Sequence, residues 1–426
     1  MITFRRMLVL GGAIAFALVC FFAGYAKYNP AWGRYNVLVI TLDTLRPDRL
    51  GCYGNKNIQT PNIDRLAAHG TLFKNAFSQA PLTLPSHAAI FTSTYPPHNQ
   101  VRDNGNCKLD ESALTLAEIL KDRGYDTAAF VSTFVLNARF GLNQGFGVYN
   151  DVKEEQNPKI VIQHMDGERT AEKTANAAIQ WLRRKSPKPF FLWTHFYDPH
   201  STYNPPPPFR EKYKQNPYDG EIAFADSQIG RLLAELQKLN KLNKTLIVFA
   251  SDHGEGLGEH KENGHAVFIY DTTLKVPLIM TCPSMLPQGK VIEGQARLVD
   301  VMPTILDFLK IRRPKALQGA NLLPTIKGKK EMPVLDAYAE SLYANKHYNW
   351  SPLLAYRTEQ WKYIRSSKPE LYDIRQDPGE LVNQAQTRPD VVQELDGKLK
   401  DFLLRTASSG SKDTKVEMDE ATREKL

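Results

Sequence analysis

Two apolar stretches of the sequence end in residues that could bind a metal ion. The run NVLVITLD ends in Asp43, and the run TLIVFASD ends in Asp252, with His253 directly after it and glycine-rich turns beyond. A carboxylate together with an imidazole suits Mn²⁺ or Zn²⁺, whereas additional carboxylates would favour Mg²⁺ or Ca²⁺. Each aspartate has an alternative interpretation as a helix cap. The pattern predicts one divalent-metal site and leaves the identity of the metal open.

A hydroxyl that could act as a nucleophile lies in the stretch PLTLPSHAAIFTSTYP, Pro81 to Pro96. Thr83 stands at a predicted helix start, where free backbone N–H groups and the helix dipole stabilise negative charge. A metal ion bound to such a hydroxyl lowers its pKa, so that it can attack an ester as an alkoxide at neutral pH. The alternative for Thr83 is a helix N-cap, which is the commoner role of a threonine there.

The elements that must position these residues form an alternating series. Apolar runs rich in Val, Ile and Phe predict five strands, at 36–43, 126–133, 189–196, 245–252 and 276–282. Helical periodicity lies between them, at 63–70, 113–123, 170–184 and 220–239. This order predicts an α/β fold with a large mixed, mostly parallel β-sheet covered by helices on both faces. Ligands of such sheets bind beyond the carboxyl ends of the strands, where we expect the candidate residues to meet.

The character of the chain changes after about residue 330, where shorter alternating segments with frequent turns replace the long apolar runs. These segments predict a small antiparallel sheet, with a last helix from Pro389 to Thr406 packed on it. The tail is rich in Ser, Lys and Glu, a composition that disfavours packing. We therefore divide the chain into an N-terminal segment (1–34), a catalytic domain (35–330), a C-terminal subdomain (331–406) and a flexible tail (407–426).

The N-terminal segment contains an uncharged apolar run, Met7 to Ala26, that is long enough to cross a bilayer as a helix. Arg5 and Arg6 precede it, so the positive-inside rule places the N-terminus in the cytoplasm and the catalytic part on the periplasmic or extracellular side. We expect a single-pass anchor in the inner or plasma membrane. The alternative is a cleaved signal peptide with Gly24 and Ala26 at the cleavage site.

The composition is that of a folded, weakly basic protein of 426 residues with 42% hydrophobic residues and a net charge of +8. The length supports a large core, and the positive charge favours an anionic substrate or surface. Nucleic-acid binding is not expected, because no Lys/Arg-rich run with interleaved aromatic residues occurs. The four cysteines form no CxxC motif, which argues against a zinc knuckle or a disulfide framework. A single Cys52–Cys107 bridge stays open.

The motifs of the chain, taken in order, resemble those of the sulfatase family within the alkaline-phosphatase superfamily. They extend from Asn36 to about Ala385 and read NVLVITLDTLRPDRLGCYG, TPNIDRLAAHGTLFKNAFSQAPLTLPSHAAIFTSTYP, VRDNG, FLWTHFYDPHSTYNPP, SDHGEGLGEHKENGHAVFIYDTTLKVPLIM, LVDVMPTILDFL and ELYDIRQDPGELVNQA. The resemblance implies the fold of that superfamily and the activity of a metal-dependent ester hydrolase.

The resemblance also implies roles for individual side chains. It assigns one divalent cation to four ligands, which are Asp43, Thr83, Asp252 and His253. It places Asn104, in the RDNG stretch, against the oxyanion of the substrate. It places His200 and His265 where they hold the substrate or protonate the leaving oxygen, a task that suits the near-neutral pKa of histidine.

Four further residues are candidates for contact with the substrate, namely Thr133, Arg46, Asp198 and His260. Thr133 ends a predicted strand that faces the same pocket. Arg46 could clamp a phosphate or sulfate oxygen, and its alternative is an ion pair with Asp48. For Asp198 and His260 the alternative is a hydrogen bond that organises a loop.

Three positions depart from the sulfatase pattern. Sulfatases oxidise a loop Cys to formylglycine, but Thr83 takes that position and has no thiol to oxidise. His87 stands in place of the loop Arg, and Thr44 stands in place of a second Asp. A sulfated Thr would need a second attack at sulfur, whereas a phosphorylated Thr can be attacked in line at phosphorus. These departures predict a hydrolase or transferase of phosphoesters.

Two alternatives stay open. One is a sulfuric ester hydrolase that uses an unmodified Thr83. The other is a catalytically degenerate member that binds an anionic glycan or lipid. Against this alternative, every position of the predicted metal site holds a residue that can bind a metal ion. The expected partner is thus an anionic phosphate or sulfate ester, and the predicted anchor points to envelope lipids or glycans.

Overall fold

The computed structural model describes residues 35–152 and 168–407 of the chain. The predicted anchor at Met7 to Ala26 lies outside these residues, as does the predicted tail beyond Ala407. Among the helices that the described residues form, none is both long and apolar enough to span a bilayer.

The strands of the described residues fall into two main sheets and one short ribbon. Numbered in chain order, they are β1 Asn36–Leu42, β2 Thr71–Phe77, β3 Asp126–Phe130, β4 Val148–Asn150, β5 Phe190–Phe196, β6 Thr245–Ser251, β7 Gly256–Leu257, β8 Asn263–Gly264, β9 Lys275–Thr281, β10 Lys290–Arg297, β11 Ala337–Ser341, β12 Leu353–Arg357, β13 Trp361–Arg365 and β14 Glu370–Asp373. The large sheet has the order β10-β2-β9-β6-β1-β5-β3-β4, and only β9 runs antiparallel to its neighbours. Strands β11 to β14 form an antiparallel sheet. The predicted fold class is therefore confirmed.

Helices connect these strands and cover both faces of the large sheet. They are α1 Pro61–Ala68, α2 Thr83–Thr92, α3 Pro96–Asn99, α4 Leu116–Asp122, α5 Ala171–Leu182, α6 Phe209–Lys212, α7 Pro217–Lys238, α8 Asp271–Leu274, α9 Val301–Phe308, α10 Leu323–Ile326, α11 Tyr343–Tyr348 and α12 Pro389–Thr406. Short 3-10 helices lie at Pro47–Arg49, Gly51–Tyr53, Phe134–Leu136, Ala138–Phe140, Leu242–Lys244, Glu259–Lys261 and Leu298–Asp300.

Strand β1 lies near the middle of the large sheet, between β5 and β6, and both of its faces are buried. Val37 and Val39 pack into the core that contains residues of α2, α4 and α9. Leu38 and Ile40 point to the opposite face and pack with residues of α1, α5 and α7. A strand buried on both faces needs mainly apolar side chains, which is why the run from Val37 to Ile40 is continuously apolar.

The sequence analysis missed β2 and β10, which pair with each other at one side of the sheet. Both strands carry exposed polar side chains, such as Lys74 in β2 and Glu293 in β10, whose ion pair lies on the surface. Because this edge is partly solvated, its strands lack the long apolar runs that identify the central ones. The predicted strand at 126–133 is also shorter in the structure, since β3 ends at Phe130.

The small sheet packs against α12, whose bounds agree with the predicted last helix. Val391, Leu395 and Leu399 of α12 share a core with Tyr338 and Tyr363 of the sheet. The amphipathic spacing of these three residues, at i, i+4 and i+8, explains why the helix could be read from the sequence. The domain boundaries at 330 and 406 stay a prediction.

An ion cluster around a fully buried lysine ties the small sheet to the large one. Lys362 of β13 is completely inaccessible to solvent. Its Nζ lies 2.8 Å from Oδ1 of Asp271, in α8, and 2.7 Å from Oε1 of Glu380. Asp271 also pairs with Arg357 of β12, at 3.3 Å. Each charge in this cluster has a partner of opposite sign.

The described cysteines are all free thiols. Cys52 is half-buried, and its amide donates to Asp64. Cys107 is buried, and its Sγ accepts from Nζ of Lys346 at 3.4 Å. The Cys52–Cys107 bridge that the sequence left open is therefore not present.

Candidate active site

The site forms where three parallel strands end in register. Leu42, the last residue of β1, lies between Phe196 of β5 and Ser251 of β6. Asp43 and Asp252 therefore follow neighbouring strand ends, and both are fully buried. The turn after β1 places Thr44 in the left-handed region, with a φ of 57°.

The four predicted metal ligands converge on one point. Nε2 of His253 lies 3.6 Å from Oδ1 of Asp43 and 3.6 Å from Oδ2 of Asp252. The same nitrogen lies 3.4 Å from Oγ1 of Thr83. Asp43, Asp252 and His253 form a buried group whose ligand atoms are close enough together to hold one metal ion.

The donor set fits a divalent cation. Both carboxylate oxygens of Asp43 and Oδ2 of Asp252 are buried and accept no hydrogen bond. Buried acceptors without partners are costly, and a cation would supply the missing interaction. Nδ1 of His253 lies 3.0 Å from the carbonyl oxygen of Gly254, to which it must donate its proton. Nε2 of His253 therefore presents its lone pair to the cluster.

The protonation equilibria of the cluster also favour a bound cation. Burial, together with the charges of Asp252 and Glu255, raises the pKa of Asp43 well above its usual value. Burial likewise raises the pKa of Asp252. Burial lowers the pKa of His253 to about 3, which keeps its imidazole neutral, the form that binds a metal. A cation between the two carboxylates would offset the repulsion that raises their pKa values.

Thr83 is the first residue of α2, but its hydroxyl does not cap that helix. Leu82 takes the N-cap position without a side-chain cap bond, and the free amide of Leu84 is bonded by Asn104 instead. The Thr83 hydroxyl is buried and lies beside His253 instead. The helix-cap alternative is thus not what the structure shows, and the hydroxyl stands next to the unbonded carboxylate oxygens of Asp43.

His87, which stands in place of the loop Arg, has both ring nitrogens engaged. Its Nδ1 donates to the carbonyl oxygen of Thr83 at 2.8 Å, and its Nε2 accepts from the hydroxyl of Thr41 at 3.0 Å. Oγ1 of Thr41 in turn accepts from Nε1 of Trp193. Burial lowers the pKa of His87. A neutral His87 therefore fixes the first turn of α2 and has no nitrogen left for a metal, although it lies near Asp252.

Asn104 lies next to the start of α2. Its Oδ1 accepts a hydrogen bond from the amide of Leu84 at 3.0 Å. This bond settles the orientation of the side-chain amide and leaves Nδ2 as the donor for a ligand. The amide of Asn104 donates to Oδ1 of Asp103, a residue that is fully buried. The geometry supports an oxyanion-binding role, which stays a prediction.

His200 and His265 lie side by side next to His253. The ring centroids of His253 and His265 are 4.4 Å apart, and those of His200 and His265 are 5.1 Å apart. Nδ1 of His265 lies 2.9 Å from Oε1 of Glu255, whose other oxygen accepts from the hydroxyl of Tyr203. Because the two imidazoles have different partners, they need not share one protonation state.

The pKa values of these two histidines move in opposite directions. Burial opposes protonation of His265, but the hydrogen bond and charge of Glu255 outweigh it and raise the pKa. Burial, reinforced by His265, lowers the pKa of His200 to about 3. The arrangement therefore favours a cationic His265, able to donate a proton, beside a neutral His200.

The other candidate residues have structural partners. The guanidinium of Arg46 bonds both oxygens of Asp48 and also Glu259, so the ion pair given as its alternative is present. Oδ2 of Asp198 accepts from the amide of Ala171 at 2.7 Å, which is a loop-organising bond. Substrate contacts of Arg46 and Asp198 stay predictions.

Thr133 and His260 lie in different surroundings. Thr133 is buried and precedes the 3-10 helix Phe134–Leu136, next to Ser132, which contacts the site through His195. The ring of His260 stacks on Tyr270 with 3.7 Å between centroids. The ring contact of His260 is thus with Tyr270 rather than with the candidate metal ligands Asp43, Asp252 and His253.

Sequence reasoning missed His195, which lies against Asp43. Nε2 of His195 is 3.5 Å from Oδ2 of Asp43. Nδ1 of His195 faces the amide of Ser132 at 3.4 Å and must accept from it, so the ring proton resides on Nε2, the nitrogen nearer to Asp43. Burial lowers the pKa of His195 well below its usual value. The available signal was a histidine inside an otherwise apolar strand.

Comparison with known proteins places the chain among sulfatases. A family model described as Sulfatase matches residues 35–311, and one described as N-sulphoglucosamine sulphohydrolase, C-terminal, matches residues 258–407. The chain is 27% identical to Arylsulfatase K of Gallus gallus, with 87% of this chain and 82% of the relative covered. It is 24% identical to Delta 4,5-hexuronate-2-O-sulfatase of Bacteroides thetaiotaomicron, with 91% and 92% covered.

A solved structure shows the same fold. The phosphonate monoester hydrolase of Agrobacterium radiobacter superposes with a TM-score of 0.76 at 23% identity, over 88% of this chain and 96% of that one. The metal cluster, the neighbouring hydroxyl and the flanking histidines lie within the matched residues 35–311. Since that family model covers more than half of the chain, the protein belongs to the sulfatase family of the alkaline-phosphatase superfamily and is an ester hydrolase.

Proposed function

We propose that the protein is a metal-dependent hydrolase or transferase of phosphoesters in which Thr83 is the nucleophile. The observation that carries this proposal is the position of the Thr83 hydroxyl, 3.4 Å from Nε2 of His253 and beside buried carboxylate oxygens that accept no hydrogen bond. The hydroxyl does not cap α2, so the commoner role of a threonine at a helix start does not account for it.

The reaction follows from the positions of the side chains. A divalent cation held by Asp43, Asp252 and His253 would lower the pKa of the Thr83 hydroxyl and neutralise charge on the ester. Thr83 Oγ1 then attacks phosphorus, and the bond from phosphorus to the leaving oxygen breaks. Water or another alcohol attacks the phosphorylated Thr83 in line, which releases the product and restores the hydroxyl.

Three further side chains serve the substrate in this proposal. Nδ2 of Asn104, whose Oδ1 is held by the amide of Leu84, donates to an unesterified oxygen of the phosphoryl group. His265, protonated through its contact with Glu255, donates its proton to the leaving oxygen. His200 stays neutral and orients the substrate.

The proposed location of the enzyme is inferred from the sequence. The uncharged run from Met7 to Ala26, preceded by Arg5 and Arg6, would tether the catalytic domain to the outer face of the inner or plasma membrane. The substrates would then be phosphoesters of envelope lipids or glycans.

A second candidate function is hydrolysis of sulfate esters by an unmodified Thr83. The names of the curated relatives favour it, since both Arylsulfatase K and the hexuronate sulfatase act on sulfate esters by name. Against it stands the absence of a thiol at position 83, where formylglycine would have to form. The degenerate-binder alternative is not proposed, because every ligand position holds a competent donor.

The test compares the two esters directly. The full-length protein in detergent is loaded with one metal at a time, and turnover of 4-nitrophenyl phosphate, bis(4-nitrophenyl) phosphate and 4-nitrophenyl sulfate is measured. We expect a phosphoester to be the best substrate, and acid quenching with ³²P-labelled substrate to leave label on the peptide containing Thr83. Faster turnover of the sulfate, with no label retained from the phosphoesters, would contradict the proposal.

A further inference from the structure

We propose that the edge of the large sheet opposite the active site is a docking surface for the anionic head groups of a lipid bilayer. The surface consists of three segments, 183–188, 238–244 and 310–315, and we call them together the basic face. The first connects α5 to β5, the second leads from the end of α7 to β6, and the third follows α9. The inference rests on the proposed location at a membrane and not on the proposed reaction.

The three segments carry positive charge only. They read RRKSPK, KLNKLNK and KIRRPK, with four, three and four Lys or Arg residues and without Asp or Glu. All of these basic side chains except Lys241 are exposed. Within residues 35–152 and 168–407, Arg183 pairs with Glu235 at 2.8 Å and Lys188 with Asp126 at 3.8 Å, and the other nine have no carboxylate within ion-pairing distance. Such uncompensated charge attracts an anionic partner.

The segments meet around the amino end of β1. Asn36, the first residue of β1, donates from Nδ2 to the carbonyl oxygen of Lys244, in the second segment, at 3.4 Å. Its Oδ1 accepts from the amide of Phe190, which begins β5 directly beyond the first segment, at 3.1 Å. The ring of Tyr35 packs edge-to-face on Phe308, the last residue of α9, with 5.4 Å between centroids. The third segment therefore starts beside the same strand end.

The two edges of the sheet differ in charge. At the active-site edge, the loop 252–265 contains four acidic residues and one lysine. Arg46 of that edge is neutralised by ion pairs with Asp48 and Glu259. The seven residues of β1 separate the two edges by about 23 Å. The unpaired positive charge is thus concentrated at the edge that lies away from the reaction.

The point where the chain enters the sheet favours a membrane as the partner. Residues 1–34 precede Tyr35 and contain the uncharged run from Met7 to Ala26. The connection from Ala26 to Tyr35 reaches at most about 30 Å, even when it is fully extended. An apolar run held in a bilayer would therefore keep the basic face near the lipid head groups, where anionic lipids attract Lys and Arg.

The chemistry of the face suits lipid head groups better than a nucleic acid. The three segments contain no aromatic residue, so they offer no platform on which bases could stack. Exposed ammonium and guanidinium groups on three separate segments suit many dispersed anions, an attraction that salt screens. Docking by this face turns the active site toward the aqueous phase.

The test is a lysine footprint of the full-length protein on vesicles. Detergent is removed in the presence of vesicles of phosphatidylcholine, alone or mixed with an equal part of phosphatidylglycerol, and the vesicles are floated. Lysines are then acetylated with a membrane-impermeant reagent and quantified by mass spectrometry. We expect Lys185, Lys244 and Lys315 to react at least about threefold more slowly on the phosphatidylglycerol vesicles. High salt should abolish this protection.

Three exposed lysines away from the basic face serve as controls, namely Lys56, Lys214 and Lys368. The first two lie in loops before α1 and α7, and the third lies between β13 and β14. Their reaction should not depend on the lipid. The variant Lys185→Gln/Lys244→Gln/Lys315→Gln should lose most of the protection at Lys310. The matched variant Lys56→Gln/Lys214→Gln/Lys368→Gln should retain it.

Four results would overturn the docking surface. They are equal reactivity of the basic face on both kinds of vesicle, equal protection of the control lysines, protection by added heparin but not by phosphatidylglycerol, and flotation with neither kind of vesicle. Flotation with the phosphatidylglycerol vesicles alone would support docking while removing the anchor. None of these results depends on the ester that is cleaved, so the docking surface and the proposed reaction can fail separately.

Discussion

The metal cluster at the ends of β1 and β6 and the ion cluster around Lys362 both hold carboxylates away from water. Around Lys362, the ammonium lies within 2.8 Å of Asp271 and 2.7 Å of Glu380, so positive and negative charges are in contact. At the strand ends, Asp43 and Asp252 face each other, and the imidazole near them is neutral. The first cluster is complete in the protein alone, whereas a bound cation would complete the second.

The pKa values of Asp271 and Asp43 express this difference. Burial opposes ionisation of Asp271, but the charges of Lys362 and Arg357 outweigh it and lower the pKa. Burial raises the pKa of Asp43, and the nearby carboxylates raise it further. A buried charge with a partner holds the fold together, whereas a buried charge without one indicates a site for a ligand. This contrast distinguishes the functional cluster from the structural one.

The largest expected effect concerns the Thr83 hydroxyl, which lies beside the cluster at the ends of β1 and β6. Thr83→Ala should lower kcat by at least about 10³-fold, because the nucleophile is lost, while the temperature of unfolding changes little. Thr92→Ala is the matched control, since Thr92 is also buried in α2 but its hydroxyl bonds the carbonyl of Ala88. A Thr83→Ala enzyme with a kcat near that of Thr92→Ala would remove Thr83 from the reaction.

The next effect concerns the ion cluster around Lys362. Lys362→Met should lower the free energy of unfolding by about 3–5 kcal/mol, because Asp271 and Glu380 lose their buried partner. Urea unfolding measures this change, and the kcat of the folded fraction should be retained. Lys400→Met, which removes an exposed pair with Asp396, should cost less than about 1 kcal/mol. Similar stability of the two variants would mean that the buried cluster contributes no more than a surface pair.

A third prediction compares the two clusters through the stability of the metal-free protein. The pKa of Asp43 is raised on folding, so its contribution to stability is present at low pH and is lost as pH rises from the unfolded value of about 4. In EDTA at pH 8, Asp43→Asn should therefore be more stable than the wild type, by about 1–3 kcal/mol. With metal bound, the order should reverse. If the metal-free Asp43→Asn protein were less stable than the wild type, the ionised Asp43 would not destabilise the metal-free protein.

The corresponding substitution in the ion cluster around Lys362 should change the stability in the opposite direction. The pKa of Asp271 is lowered on folding, so its contribution is present above the unfolded value of about 4 and is lost as pH falls below it. Asp271→Asn should be less stable than the wild type at pH 8, and the difference should shrink in acid. Chelation should not affect this difference.

The smallest effect is a shift in pH dependence. Glu255 raises the pKa of His265, and a protonated His265 is the proposed proton donor. Activity should therefore fall as pH rises through that pKa, and Glu255→Gln should move this limb of kcat/KM to lower pH by about 1 unit. Glu259→Gln, which alters a partner of Arg46 instead, should leave the limb in place. An unchanged limb in Glu255→Gln would separate His265 from proton donation.

Much of the frame could be read from the sequence, because it depends on local patterns. The central strands contain long apolar runs, and α12 has a clear apolar face, so both were predicted close to their observed bounds. Asp43 and Asp252 could be found because each directly follows such a strand. Strands β2 and β10 were missed because solvated side chains interrupt their apolar pattern.

The supporting residues of the site could not be read in the same way. His195 is significant only because β5 lies beside β1 and brings it to Asp43. Glu255 is significant only because the chain returns ten positions later with His265. His347 lies in α11, 244 positions away from Asp103 in the chain, and its Nε2 lies 2.9 Å from Oδ2 of Asp103. In each case the partner is set by tertiary packing, which a local pattern does not specify.

The contact between His347 and Asp103 joins residues 244 positions apart in the chain. During synthesis, all four proposed metal ligands have been made once His253 is added, yet the loop that carries Asn104 still lacks the contact with His347. Contacts of such long sequence separation form slowly, because the intervening chain must first be ordered. The nascent protein would therefore acquire its cation site before its anion site is secured, and catalytic competence would come only when the last fifth of the chain has folded.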